Sequence, residues 1–366
     1  MFLNNARNGT IYQQFKAVGV DLNQFTPDKL PVIALSAVQS AAAFGLGAAP
    51  DPFVGAGTTA VATDFVNPRS FQTGMGADYR VTNTWITGVQ FNYVNTVHLE
   101  RNRDYNLPLP ITVDASQRPI FGIAAGGTRL RPIATLGQIN MRESSARSMY
   151  RGMSISNQYK GKKLQAGVFY TLAETFSDDD NERDSGGQAS MNAFNYRDDY
   201  SYSNMDSRHM FSTYGVYTLP FGIDLSGTFR VRSGLPLNPR TGADTNQDGA
   251  STTDRALQSP GVPFGRNSFR NRAVYGNDFR ILKSFRLKSE VRRIQLWAGF
   301  FNLFNLDNVI YAGTANIYGL GVNAQGATLA PDARFLVLKT ADGKYSTQNQ
   351  QIGFPFQAQF GIRFLF

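Results

Sequence analysis

Hydrophobic and polar residues alternate without a break along the last stretch of this chain. From Phe356 the even positions read Phe356, Ala358, Phe360, Ile362, Phe364 and Phe366, and between them stand Gln357, Gln359, Gly361, Arg363 and Leu365. Successive side chains of a strand point to opposite faces, so the pattern predicts a ribbon apolar on one side and mostly polar on the other. The same rhythm begins at Phe71, where Phe71, Thr73, Met75, Ala77 and Tyr79 share one face and Gln72, Gly74, Gly76 and Asp78 the other. A turn near Val81-Thr82-Asn83 leads to the face Trp85, Thr87, Val89, Phe91, Tyr93 and Val97. Pro108 and Pro110 then stop pairing, because proline has no amide to give a ladder.

The following hairpins keep the period of two. Met149, Met153, Ile155 and Tyr159 run to a tight turn, Lys160-Gly161-Lys162-Lys163, and Leu164, Ala166, Val168, Tyr170 and Leu172 return. His209, Phe211, Thr213, Tyr217 and Leu219 descend to Pro220-Phe221-Gly222, and Ile223, Leu225, Phe229 and Val231 go back up. Phe279, Ile281, Phe285 and Leu287 pass a brief turn around Lys288-Ser289-Glu290 into Ile294, Leu296, Ala298, Phe300 and Phe304. Short turns alternate with long polar loops throughout, which is the rhythm of outer-membrane barrels. The expected fold is all-β: an antiparallel transmembrane β-barrel wall over residues 67–366, about nine strands, with long outer loops and short periplasmic turns. Nine strands with no partner for the first point to part of a larger barrel, since lipid satisfies no open sheet edge. Residues 1–66 lack the alternation; Tyr12–Phe25 and Lys29–Phe44 suit short helices, and the segment reads as a loop-like, partly helical external piece.

Composition agrees with strands that have one lipid face and one wet face. Charged residues make up 17% of the 366, aromatics 13%, with 28 Phe and 16 Tyr. The mean hydropathy is nevertheless −0.28, and no apolar run reaches the eighteen or so residues of a membrane helix. Trp85, Tyr93, Tyr159, Tyr170 and Tyr217 suit interfacial girdles, with a soluble β-sandwich core as the alternative. Cysteine is absent, which excludes a disulfide framework and thiolate metal sites. The net charge of +9 comes from Arg and Lys scattered singly, without a basic block that would track a phosphate backbone, so no nucleic-acid partner is expected. Met1 opens on MFLNNARNGTIYQQF, which has neither the cationic start nor the apolar core of a secretory signal; a mature fragment, a mis-started gene or a truncated paralogue are the readings.

Several segments resemble TonB-dependent receptors of the Oar-like kind, in the C-terminal part of their barrel. They are Val94-Asn95-Thr96-Val97-His98-Leu99-Glu100-Arg101-Asn102-Arg103-Asp104-Tyr105-Asn106-Leu107-Pro108-Leu109-Pro110, Glu143-Ser144-Ser145-Ala146-Arg147-Ser148-Met149-Tyr150, Arg266-Asn267-Ser268-Phe269-Arg270-Asn271, and Phe300-Phe301-Asn302-Leu303-Phe304-Asn305. Together they span residues 66 to 366 or so, most of the chain. The resemblance implies a 22-stranded barrel around an N-terminal plug, with a TonB-binding segment that couples uptake of a large or scarce nutrient to the energised inner membrane. Plug and TonB-binding segment are not recognisable here, so TonB is an expected partner only through a plug supplied by a missing N-terminal part. The other expected partners are outer-membrane lipid, lipopolysaccharide and the barrel-assembly machinery, the last through the terminal signal Phe360, Ile362, Phe364 and Phe366. The expected location is the bacterial outer membrane.

Two constellations carry possible chemistry. Asp244-Thr245-Asn246-Gln247-Asp248-Gly249 has oxygen ligands at alternate positions and Gly at the sixth, the opening of a calcium loop, but the twelfth position is Arg255 with Asp254 before it. A calcium ion on Asp244, Asn246, Asp248 and Asp254, which would stiffen a surface-binding or adhesion loop, stands against a solvated Asx-rich turn with no cofactor. Arg230, Arg232, Arg280 and Arg363 fall on the face opposite the aromatics and are expected to face the lumen, either as a field for anionic solutes or a seat for a plug, or as ordinary solvation. Lys283 falls in phase with Ile281 and Phe285 and is expected to snorkel near an interface. The acidic run Asp178 to Asp184 reads as a cation-binding or simply solvated loop. No enzyme is expected: His98 and His209 lie on separate strands, G-x-S-x-G and HExxH are absent, and Gly122 to Gly127 is followed by no phosphate-loop Lys.

Overall fold

A computed structural model describes residues 58–122, 131–133, 137–180, 190–250, 252–287 and 292–366. Nine strands form one continuous antiparallel meander: β1 (Arg69–Thr82), β2 (Trp85–Asp104), β3 (Ile139–Lys160), β4 (Leu164–Ser177), β5 (His209–Leu219), β6 (Ile223–Arg232), β7 (Val274–Arg286), β8 (Arg293–Phe301) and β9 (Gln357–Leu365). Each pairs with its sequence neighbours, and among the described residues β1 and β9 have a wall partner on one side only. The sheet is therefore open. The expected helices Tyr12–Phe25 and Lys29–Phe44, the stretch Gly122 to Gly127 beyond its first residue, and the turn Lys288-Ser289-Glu290 lie outside the described residues. Among those described, no helix is long and apolar enough to cross a membrane.

Register sorts the side chains as the alternation requires. Ala77 faces Val89, Val89 faces Ile155, Ile155 faces Tyr170, Tyr170 faces Phe211, and Phe211 faces Val231, so one apolar row crosses six strands. Another runs Leu164, Tyr217, Leu225, Ile281, Ala298, Phe360. These rows are not packed against a core. Met75 is 74% exposed and Phe360 77%, and Tyr79, Phe91, Phe285 and Phe364 are likewise uncovered. The opposite face carries Gly74, Gln90, Ser154, Thr171, Ser212 and Ser226. A contiguous apolar face of this extent on a folded sheet calls for a hydrocarbon neighbour rather than water.

The turns at one end of the sheet are short. Pro220-Phe221-Gly222 reverses the chain in three residues, with Gly222 at φ +71°, where a Cβ would meet Ser284 O at 2.7 Å. At the other end, the connections after β2, β4, β6 and β8 are long. β2 and β3 are 20 and 22 residues, about twice what a tilted strand needs to cross a bilayer, so their loop-side halves stand above it. Beyond the transmembrane part the β2–β3 register shifts between Thr96 and Leu99, next to His98 at φ +61°.

Thr58–Val61 departs from the loop reading of the first 66 residues. It is a short strand, parallel to Ile139–Arg142 of β3. Its place beside β3 is free because β4 ends at Ser177 opposite Ser148.

Candidate functional site: the outer-loop cap

Among the described residues, the buried side chains gather in the long loops and the loop-side parts of the strands. Leu107, Phe121 and Ala193 form a small core, Phe121 stacks on Phe194 with ring centres 6.0 Å apart, and Phe264, Phe269, Tyr318 and Phe335 make a second aromatic cluster. Around them the loops are interlocked by polar contacts between segments far apart in sequence. Arg118 Nη2 donates to Leu320 O at 2.8 Å, joining the loop after β2 to the loop after β8. Asn246 Nδ2 donates to Met191 O at 2.8 Å and Phe121 N donates to the backbone O of Asn246 at 2.9 Å, joining three loops at one residue.

Arginine supplies the strongest ties, because its fork can satisfy several acceptors at once. Arg255 is buried, ion-paired through Nη1 with Asp199, and donates to Phe264 O at 2.9 Å and Asp198 O at 3.0 Å. Arg266 pairs with Asp180 and donates to Asp199 O at 2.7 Å. Arg270 pairs with Asp206, whose other oxygen accepts from Thr175 N at 2.6 Å. Arg101 sits 2.7 Å from Asp178 with its guanidinium 3.7 Å from the centre of the Tyr196 ring. Burial pushes the Tyr196 phenol up, with the Glu143 carboxylate adding to it. Burial likewise raises the Asp199 carboxyl against the pull of Arg255.

The acidic run is thus not a solvated loop in its described part. Asp178, Asp179 and Asp180 are held by Arg101, Arg147 and Arg266 from three other segments. Residues 181–184 lie outside the described residues.

The sequence-predicted calcium loop folds back on its own backbone. Asp244 accepts from Asp248 N at 3.0 Å and Gly249 N at 2.8 Å, and Asp248 accepts from Ala250 N at 2.8 Å. Asp254 accepts from Thr245 N, from Thr245 Oγ1 at 2.8 Å and from Asn246 N at 3.1 Å, while its buried Oδ1 meets no donor among the described residues. Burial, together with the neighbouring Asp254 and Asp244, lifts the Asp248 carboxyl to about 7, and burial raises Asp254 as well. Among the described residues, no three acidic or histidine side chains are grouped so as to hold a metal ion. The donor set therefore fits a self-stapled turn better than a cation cage. Arg255, which stands where a calcium loop has its last carboxylate, instead pairs with Asp199 of the loop after β4, a partner 56 residues away that nothing in the motif announces.

The four arginines Arg230, Arg232, Arg280 and Arg363 lie on the face opposite the apolar rows. They are not equivalent. Arg230 is 3.6 Å from Asp278, and Arg280 lies over the Trp297 ring at 4.7 Å. Trp297 itself covers Gly361, where an added Cβ would come within 2.3 Å of the indole. Arg232 and Arg363 have no ion-pair partner among the described residues. Lys283 stands in the apolar face opposite Leu296 and lifts its ammonium to the carbonyl of Phe221. His98 and His209 are on different strands; the His209 ring stacks on Tyr170, with Nδ1 2.8 Å from its hydroxyl. A cleft of 340 Å³ opens at the loop-side end of β7 to β9, lined by Tyr275, Asp278, Phe301, Asn302, Phe354 and Gln357 among others.

A nine-strand antiparallel wall, apolar outside, polar within and capped by loops at one end, is the architecture of an outer-membrane β-barrel. The family model described as "Outer membrane beta barrel domain" matches residues 3–265, more than half of the chain, and the chain belongs to that family. It is accordingly a protein of the bacterial outer membrane. No curated protein sequence matches it. Among solved structures it is similar to the outer membrane transporter YddB from Escherichia coli, at 10% identity and a TM-score of 0.48, covering 86% of this chain and 34% of that one. It is also similar to the FrpB iron transporter from Neisseria meningitidis, at 10% identity and a TM-score of 0.39, covering 69% of this chain and 29% of that one. The chain thus spans about a third of the length of either structure.

Proposed function

We propose that this chain is the C-terminal portion of a receptor barrel of the TonB-dependent, Oar-like type, and that the complete protein takes up a nutrient by energy coupling. The observation that carries the reading is the open wall: nine strands in unbroken sequence order, with β1 and β9 each paired on one side among the described residues. Such edges cannot face lipid, because every backbone amide there must find a partner within the protein. Further strands between β9 and β1 close the barrel, and a wall of that size leaves room for a plug. The interlocked cap then supplies the surface that meets a solute, and the cleft beside Phe301 and Phe354 supplies a recess at the entrance.

In this reading TonB acts through a plug supplied by an N-terminal part of the complete protein. The closing strand, with Phe360, Ile362, Phe364 and Phe366 turned outward, is what the barrel-assembly machinery engages. The adhesion alternative rests on a calcium-stiffened loop, and the turn at Asp244 to Asp254 is stiffened by its own amides. Sequencing the DNA immediately upstream tests the proposal. An in-frame plug and TonB-binding segment are expected; a stop codon followed by an independent signal sequence would contradict the transport reading.

A further inference from the structure

The outward face of the wall changes character at one level. Trp85, Tyr159 and Ala166 share a row at the short-turn end of β2, β3 and β4. A tilted strand crosses the bilayer in about nine to eleven residues. Counted upward from that row, the span ends at the row Tyr93, Arg151, Glu174 or one pair of residues above it. The next outward row beneath, Phe91, Met153 and Leu172, is apolar. Charge thus enters the lipid side where the hydrocarbon stops.

Arg151 keeps the face of Met153 and Ile155 and so points outward, not into the lumen. Its Nε donates to Glu174 Oε2 at 2.7 Å, and Arg208, just before β5, holds Glu174 Oε1 at 2.8 Å. Arg208 also donates to the Tyr202 hydroxyl at 2.7 Å, and Tyr202 is backed by Phe176 with ring centres 4.7 Å apart. Arg147 continues the outward face of β3 above Arg151. Its guanidinium lies 4.3 Å from the centre of the Tyr200 ring, and its Nε 3.6 Å from Asp178, which Arg101 already holds. In both pairs the carboxylate lies beneath its arginine. The Arg151 side chain is 60% exposed over Glu174 at 19%, and that of Arg147 56% over Asp178 at 7%. Buried acids, each shared by two arginines, therefore present exposed guanidinium groups to whatever lies outside.

We propose that Arg147, Arg151 and Arg208 form a binding site for the phosphate groups of lipid A, the membrane anchor of lipopolysaccharide, with its acyl chains along Phe91, Met153 and Leu172. Guanidinium forks match phosphate oxygens in charge and in bidentate geometry. The depth selects the occupant. In an outer-membrane barrel the long-loop end faces outward, and the leaflet at that level presents phosphorylated lipid A. A free anion would have no use for the apolar row directly beneath the cations. The site depends on how the wall sits in the membrane and not on what the barrel transports.

The whole chain, extracted from membranes in mild detergent and stripped of lipid, is titrated with diphosphorylated or dephosphorylated lipid A, and bound lipid is counted by native mass spectrometry. The phosphorylated form is expected to bind at least about fivefold more tightly at low salt, the scale of one basic side chain at an anionic surface. The difference is expected to shrink at high salt. Arg147→Gln and Arg151→Gln are each expected to weaken binding of the phosphorylated form about fivefold. Lys162→Gln, in the turn at the other end of the wall, is expected to leave it unchanged. Unboiled gel mobility checks that each variant is folded, and the comparison of the two lipids needs no variant. Equal binding of the two forms would overturn the proposal, as would folded variants at 147 and 151 that bind like the parent or like Lys162→Gln. Equal affinity for phosphatidylglycerol would overturn it by showing a general anionic-lipid surface. Displacement by millimolar inorganic phosphate at constant ionic strength would do so by showing a free-anion site.

Discussion

Arg255 and Asp199 are both 1% exposed and face each other as an ion pair across 56 residues of sequence. The pair joins the loop after β4 to the loop after β6, and around it the cap is assembled. Removing one member leaves the other charge buried and alone, which costs about 3–5 kcal/mol. Asp199→Ala is therefore expected to open the cap to protease while the wall keeps its heat-modifiable mobility. The double variant D199L/R255M is expected to be less damaged than D199A, because it buries no unpaired charge. Limited proteolysis with gel mobility on the same samples checks both.

The Asp248 carboxyl gives the cap a pH dependence of definite sign. In the folded loop it holds its proton up to about 7, whereas in an unfolded chain it ionises near 4. The folded state therefore binds the extra proton between those values, and stability falls as the pH rises through that window, by about 1.4 kcal/mol per pH unit at most. Above 7 the loss is complete. Protease resistance of the cap is expected to be greater at pH 5 than at pH 8, and Asp248→Asn is expected to flatten the difference by stabilising the pH 8 form.

The Asp244 to Asp254 turn is closed by backbone amides, so chelation is expected to leave it intact. Proteolysis with and without chelator measures this. Resistance that disappears in chelator and returns with calcium but not magnesium would restore the cation reading.

Adjacent residues of β6 make a stringent pair for the two faces. Phe229 lies in the apolar row with Thr213, and Thr228 faces Tyr214 on the polar side. Arginine at 229 puts a charge against hydrocarbon and is expected to cost about 2–4 kcal/mol, lowering the heat needed to shift the band on a gel. Thr228→Arg is expected to change it far less.

Much of the wall was legible in the residues themselves. Period two fixes which face each residue joins, and the turns at Lys160 and Pro220 announce themselves by composition; β5, β6 and β9 follow from that alone. The lengths of β2 and β3 did not, because above the membrane Arg101, Asn102 and Asp104 are buried against loops and burial no longer alternates. The cap was opaque for a related reason. Its order comes from Arg255, Arg266 and Arg270 meeting carboxylates 56 to 86 residues away, and nothing local marks such partners. The motif that looked most chemical, Asp244 to Gly249, is locally complete as a turn, so its spacing said little about a ligand.

That Phe and Tyr rows touch hydrocarbon while the residues between them touch water is the claim on which the rest depends. The chain has no native cysteine, so single cysteines along β4, Leu164 to Ser177, can each carry a spin label in membranes. Collision with oxygen is expected to peak at Ala166, Val168, Tyr170 and Leu172, and collision with a water-soluble nickel chelate at Gln165, Gly167, Phe169 and Thr171, with a period of two. A flat profile, or the two peaks exchanged, would contradict the outer-membrane wall.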